Sequence, residues 1–180
     1  MSLDNTTVTK RYARALFEVA LEKGRIDEIQ TELKDVKKIF DENQGLSVIL
    51  TDKGITIDQK LDLIKPILNQ ASDLVKNLIQ MTFDYGRINL LTDIISEFDN
   101  LYDANNKVVR ATAITAIALD DKQMAELSQN FAHKLNVNKV VLHNKIDDSI
   151  IGGVILKTNG LVYDGSIKTQ INQIKQSLLG

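Results

Sequence analysis

The sequence predicts an α + α/β protein in two parts: an N-terminal six-helix bundle over residues 1–105 and a small β-α-β-β-β-α domain over residues 106–180. Three observations predict it. From Thr7 to about Tyr102 apolar residues recur at three and four, the period of amphipathic helices. Beyond "DANNK", residues 103–107, the spacing shifts towards two and Val, Ile and Thr accumulate. The charge changes at the same place: residues 1–105 carry 13 Lys/Arg against 18 Asp/Glu, and residues 106–180 carry 9 against 6.

Val8, Tyr12, Ala15, Leu16 and Val19 predict a first helix that ends at Gly24, and Ile26, Ile29, Leu33, Val36 and Phe40 a second that ends before Gly45. Leu46 to Leu50 is long enough for one or two turns. Thr56 or Asp58 caps a fourth helix with Ile57, Leu61, Ile64 and Leu68 inward, and Pro66 inside it is expected to kink or shorten it. Ser72 caps a fifth that runs to Gly86, and Leu90 to Tyr102 forms the sixth. The short polar connections imply a compact antiparallel bundle.

In the second half "VVRATAITAIAL" predicts a strand, and Asp120 or Asp121 caps a helix with Met124, Leu127, Phe131 and Leu135 inward. "KVVLHNKID" alternates through Val140, Leu142 and Ile146 as a second strand. Ile151 to Lys157 and Leu161 to Tyr163 flank Asn159-Gly160, a strong hairpin signal. Ile167, Ile171, Ile174 and Leu178 lie on one side of a terminal helix. Adjacent glycines in a strand mark a bulge or a close approach, so something is expected to pack over Gly152 and Gly153, with the terminal helix as the candidate.

Composition narrows the function. With 43% hydrophobic residues the chain can build a core, and no apolar run approaches the roughly 20 residues of a membrane helix. The first ten residues lack the pattern of a signal or transit peptide. No cysteine is present, which removes thiolate catalysis and thiolate metal ligands. A net charge of -2 argues against nucleic acid as a partner.

"GGVILKT" invites comparison with a phosphate-binding loop. Such a loop needs glycine directly before the lysine so that backbone N–H groups converge, and that position is Leu156. His133 and His143 lack a second ligand at metal-site spacing and are expected on the surface. Asp120-Asp121 and Asp147-Asp148 suit a cap and a turn. No catalytic residue, metal or cofactor is therefore expected.

Two helices carry more apolar surface than one-sided packing uses. In the first, Val8, Tyr12, Ala15 and Val19 form one stripe and Ala13, Phe17 and Ala20 another, together spanning about 200° of the helix wheel. In the fifth, Leu74, Leu78, Met81 and Tyr85 oppose Ile79 and Phe83 over a similar arc of about 200°. Either these are central helices covered on both sides, or their second stripes line a groove for a partner's amphipathic helix. The exposure of Tyr12 and Met81 separates the two readings.

"VTKRYARALFEVALEKG", "YGRINLL" and "KIDDSIIGGVILKTNGLVYDGSIKTQINQIKQSL" together resemble the delta subunit family of bacterial F-type ATP synthase, whose mitochondrial counterpart is the oligomycin sensitivity-conferring protein. The resemblance spans essentially the whole chain. It implies a six-helix bundle followed by a small α/β domain, and a non-catalytic place in the peripheral stalk that supports proton-driven ATP synthesis. It implies that helices one and five receive the N-terminal helix of an alpha subunit, and that the C-terminal domain meets the C-terminal end of the b subunit. By position, Tyr12, Ala15 and Met81 would face the alpha helix, and Val8, Val19, Leu78 and Tyr85 extend the same stripes. The location implied is the cytoplasmic face of a bacterial membrane, held there only through the complex. A helical adaptor for some other complex is the alternative.

Overall fold

The computed structural model describes residues 4–43, 45–158 and 160–179, the last of these through its backbone alone. The chain divides into two compact units, and the division falls between Tyr102 and Asp103.

The first unit contains helices α1 (Asn5–Glu22), α2 (Ile26–Glu42), α3 (Gly45–Thr51), α4 (Ile57–Gln70) and α5 (Asp73–Asp84), and α6 (Leu91–Asn105) up to Tyr102. A 3-10 turn, Ile88–Leu90, leads into α6. Leu91, Ile94, Ile95 and Phe98 of α6 sit at helical spacing and are fully buried, with Ile29 and Leu33 of α2 and Val75 and Ile79 of α5 in the same core. Phe17 of α1 meets Phe98 edge-on at 5.7 Å between ring centres, a favoured aromatic geometry. The apolar rows therefore become one core with α6 at its centre.

Thr56 is the cap of α4, in a reciprocal box with Gln59. Pro66 neither ends nor shortens this helix, which runs on to Gln70. The missing N–H leaves unpaired the carbonyl of Asp62, an exposed residue, where water can serve it. Ile57, expected inward, is exposed in the first turn, whereas Ile64 is buried. Ser72 precedes α5, but its hydroxyl makes no cap bond; its N–H donates to Glu32 at 3.0 Å. The sixth helix continues past Tyr102 through the first residues of "DANNK". There the Asp103 carboxylate is buried and takes two hydrogen bonds from Arg110, which anchors the start of the boundary segment.

The second unit has strands β1 (Val108–Thr115), β2 (Lys139–Ile146), β3 (Val154–Thr158) and β4 (Val162–Asp164), with α7 (Asp121–Leu135) after β1 and α8 (Ile167–Leu179) last. The sheet order is β2-β1-β3-β4. β1 and β2 are parallel and joined through α7, while β3 is antiparallel to both β1 and β4. Asp120 caps α7 in a box with Gln123. Leu127, Phe131 and Leu135 pack on Ala111, Ala113, Val140 and Leu156. Asn144 donates to the Ala113 carbonyl and accepts from the Leu119 N–H, tying the loop before α7 to the sheet. Ile146, expected inward, is exposed at the strand end. β3 and β4 pair as a hairpin, with the Thr158 N–H donating to the Leu161 carbonyl at 2.8 Å; Asn159 of the expected turn lies outside the described residues.

The two glycines have separate tasks. A Cβ on Gly152 would lie 2.8 Å from the Ile167 side chain, at the start of α8. Gly153 has φ +78°, and a Cβ there would lie 2.3 Å from the Gly165 carbonyl oxygen. Only glycine combines that backbone with that approach. Gly153→Ala is expected to destabilise the second unit by about 1–3 kcal/mol. Faster amide exchange across β3, with α1–α6 unaffected, is the measurement.

Candidate partner-binding site

α1 packs against both α2 and α5. Just past its end Lys23 lies 3.9 Å, and Arg25 2.8 Å, from Asp73 at the start of α5. The two helices therefore run antiparallel. Eight residues back from Lys23 and eight on from Asp73 bring Ala15 about level with Met81 at equal rise. Arg25 also binds Glu28 through two hydrogen bonds, and the two carboxylates hold its guanidinium above its ordinary range. Hydrogen bonds from Arg25 in turn hold Glu28 and Asp73 below the usual carboxylate range.

Each expected residue has a definite place. Ala15 and Val19 are exposed on α1, and Tyr12 between them and the core is half-buried. Met81 is 48% exposed, and Tyr85, just past the end of α5, is exposed beside Arg87. Val8 and Leu78 are otherwise: at 4% and 5% exposure they belong to the core. Both pack into the helical core, a difference along one stripe that a helix wheel cannot distinguish. Tyr12 and Met81 are not both buried, so the stripes are not consumed by the bundle.

The chemistry expected of an enzyme has no comparable focus. Gly152 and Gly153 are filled by Ile167 and the Gly165 backbone, and Lys157 lies within β3, so no phosphate cradle forms. Arg110, Thr112, His143, Lys157 and Thr158 line an open depression of about 520 Å³ on the sheet. Arg110 is committed to Asp103, and His133 and His143 are both exposed. Among the described residues no group of three or more His, Asp or Glu side chains could hold a metal. Among the described residues no helix is long and apolar enough to cross a membrane.

The row Ile167, Ile171, Ile174 and Leu178 is the feature least expected from the sequence. It lies exposed along α8. The helix is fastened at its first turn: the Asp164 carboxylate accepts from the Ser166 N–H and the Thr169 hydroxyl, both at 2.9 Å. The Thr169 N–H donates to the Ser166 hydroxyl. The bonds from Ser166, then Thr169, hold Asp164 below the usual carboxylate range. A depressed carboxylate contributes stability above its unfolded value and loses it as pH falls through the folded one. Acidification through that range is expected to loosen the first turn of α8, which an NMR titration of the Thr169 amide reads directly; raising the pH from neutral is expected to change nothing there.

Comparison with known proteins agrees over the whole chain. Residues 8–178 match the family model described as ATP synthase delta (OSCP) subunit. The chain is 54% identical to the ATP synthase subunit delta of Pediococcus pentosaceus, over 100% of both chains. It is 42% identical to that of Ligilactobacillus salivarius and 38% to that of Lactiplantibacillus plantarum, each over 99% of both chains. Its fold matches a chain in the cryo-EM structure of the Toxoplasma gondii mitochondrial ATP synthase hexamer with a TM-score of 0.70, at 20% identity, over 96% of this chain and 97% of the other.

Proposed function

Because the chain belongs to the ATP synthase delta (OSCP) family, we propose that it is the non-catalytic connector of the peripheral stalk, joining the catalytic head to the b subunit. In this role it keeps the head from turning with the rotor and so supports proton-driven synthesis. The first unit takes the N-terminal helix of an alpha subunit, and the second meets the C-terminal end of b. The protein sits at the cytoplasmic face of the membrane and is held there through the complex.

The observation that carries this reading is the unconsumed apolar surface of two packed, antiparallel helices. Ala15 and Val19 on α1 and Met81 on α5 are open, Tyr12 is half-open, and Tyr85 continues the stripe past α5. Val8 and Leu78 form the buried floor at its ends. An amphipathic helix laid between the two stripes would bury these side chains and gain the hydrophobic stabilisation they forgo in the free chain. A static link needs such contacts and no perturbed acid or base. Calorimetric titration of the intact chain with a peptide of the alpha N-terminus tests it. Saturable binding is expected; no binding would reject the reading, and binding of an unrelated amphipathic peptide but not of the alpha or b segment would favour a general adaptor instead.

A further inference from the structure

The sheet of the second unit has two unlike faces. α7 packs on the side chains of Ala111, Ala113, Val140 and Leu156. Strand alternation turns Arg110, Thr112, Val141, His143 and Lys157 to the other side, where they line the depression of about 520 Å³. The register sets His143 on β2 and Lys157 on β3 opposite Thr112 of β1. Cβ atoms so paired stand about 5 Å apart, so those of His143 and Lys157 straddle Thr112 across about 10 Å. Thr112 is half-buried between them, and both rim side chains are exposed. Every charged side chain of β1, β2 and β3 is a cation, and Arg110, Lys139, Lys145 and Lys157 all fall on this face. Three carboxylates lie near it, and each is engaged or at its margin. Asp103 holds Arg110, Asp164 on β4 accepts from Ser166 and Thr169, and Asp147 feels Lys145 from the strand end. Among the described residues neither His143 nor Lys157 has an ion-pair partner. A face kept only for solubility mixes both signs; the centre of this one offers donors alone.

We propose that this depression binds a small, soluble phosphate-bearing anion of the pyrophosphate class. The Lys157 ammonium and a His143 ring N–H would each meet a phosphoryl group, with the Thr112 hydroxyl donating between them. An imidazole offers an N–H in either protonation state. Nucleic acid is a poorer occupant. It reads an open sheet by stacking bases on aromatic side chains, and the strands put no Phe, Tyr or Trp on this face. Tyr163 turns the other way and meets Phe131 at 6.2 Å between ring centres. A partner helix needs a continuous apolar strip, and Val141 is the apolar side chain that this face brings to the depression. The plane of a bilayer does not match a concave site, whereas a small anion does. The inference is separate from the connector role and does not depend on it. It is also separate from the glycine pair, whose space Ile167 and Gly165 fill.

The test is an amide NMR titration of the full chain with inorganic pyrophosphate, at neutral pH in a phosphate-free buffer. Saturable shifts centred on Thr112, His143 and Lys157 are expected, with a Kd below about 1 mM. Lys157→Gln is expected to weaken binding at least about tenfold, and Thr112→Val about fivefold. Lys122→Gln makes the same change of charge on α7 and is expected to bind as the native chain does. Lys157 and Lys122 are both exposed, so their variants keep the fold, and the spectra themselves report it. Shifts that do not saturate, or an equal loss in Lys122→Gln, would leave only diffuse charge attraction and overturn the proposal. Full affinity in Lys157→Gln would overturn it as well. Binding to phosphatidylglycerol vesicles without binding of pyrophosphate would assign the face to a membrane, and tighter binding of a single-stranded oligonucleotide would assign it to nucleic acid. Either result would overturn the soluble anion.

Discussion

Met81→Asp is expected to weaken binding of an alpha-subunit N-terminal helix at least about 100-fold while leaving the free protein folded. Met81 is about half exposed on α5, so the substitution removes little from the core, and surface changes of this kind stay within about 0.5 kcal/mol. Bound, the same carboxylate would be desolvated inside an apolar contact with no cation provided for it. That penalty amounts to several kcal/mol, and about 2.7 kcal/mol already gives 100-fold. Val48→Asp, at an exposed position on α3, is the matched control and is expected to bind as the native chain does. Titration calorimetry on the two variants, with circular dichroism to check folding, decides the point.

Phe98→Ala is expected to cost about 3–5 kcal/mol of stability in the helical unit. Phe98 is fully buried in α6, and its loss leaves a cavity where α6 meets Phe17 of α1. The core it belongs to is filled by Ile and Leu of the other helices, too constrained to close over a missing ring. Denaturant unfolding followed by helix circular dichroism measures it. A loss below about 1 kcal/mol would mean that α6 is not the centre of the bundle. Because the chain has two compact units, amide exchange in the β-sheet should accompany the experiment and remain unchanged.

Much of the fold was legible because local chemistry and global packing agree. Thr56 with Gln59 and Asp120 with Gln123 carry the residues of capping boxes, and both boxes form. The glycine pair announced a close approach, and Ile167 and Gly165 supply it. The misses share a cause: periodicity says which residues share a face but not what covers it. Val8 and Leu78 lie on the same stripes as Ala15 and Met81 yet are buried in the helical core. The isoleucines of α8 share one side of the helix and lie exposed, because periodicity does not say what covers that side. "DANNK" marks the boundary and the division does fall at its start, but nothing in its composition reveals that Arg110 will pair with Asp103. The candidate site was legible as two over-apolar helices; its limits needed three dimensions.

The chain has no cysteine, so a single introduced thiol carries a cross-linker to one place. Ala15→Cys puts it on the open stripe of α1, and Val48→Cys puts it away from that stripe on α3. Cross-linking in the assembled, membrane-bound ATP synthase therefore tests the connector role most directly. The expected result is a covalent product between the Ala15→Cys chain and the N-terminal segment of one alpha subunit, with none from Val48→Cys. No alpha product from Ala15→Cys, in a complex shown to contain the subunit, would contradict it.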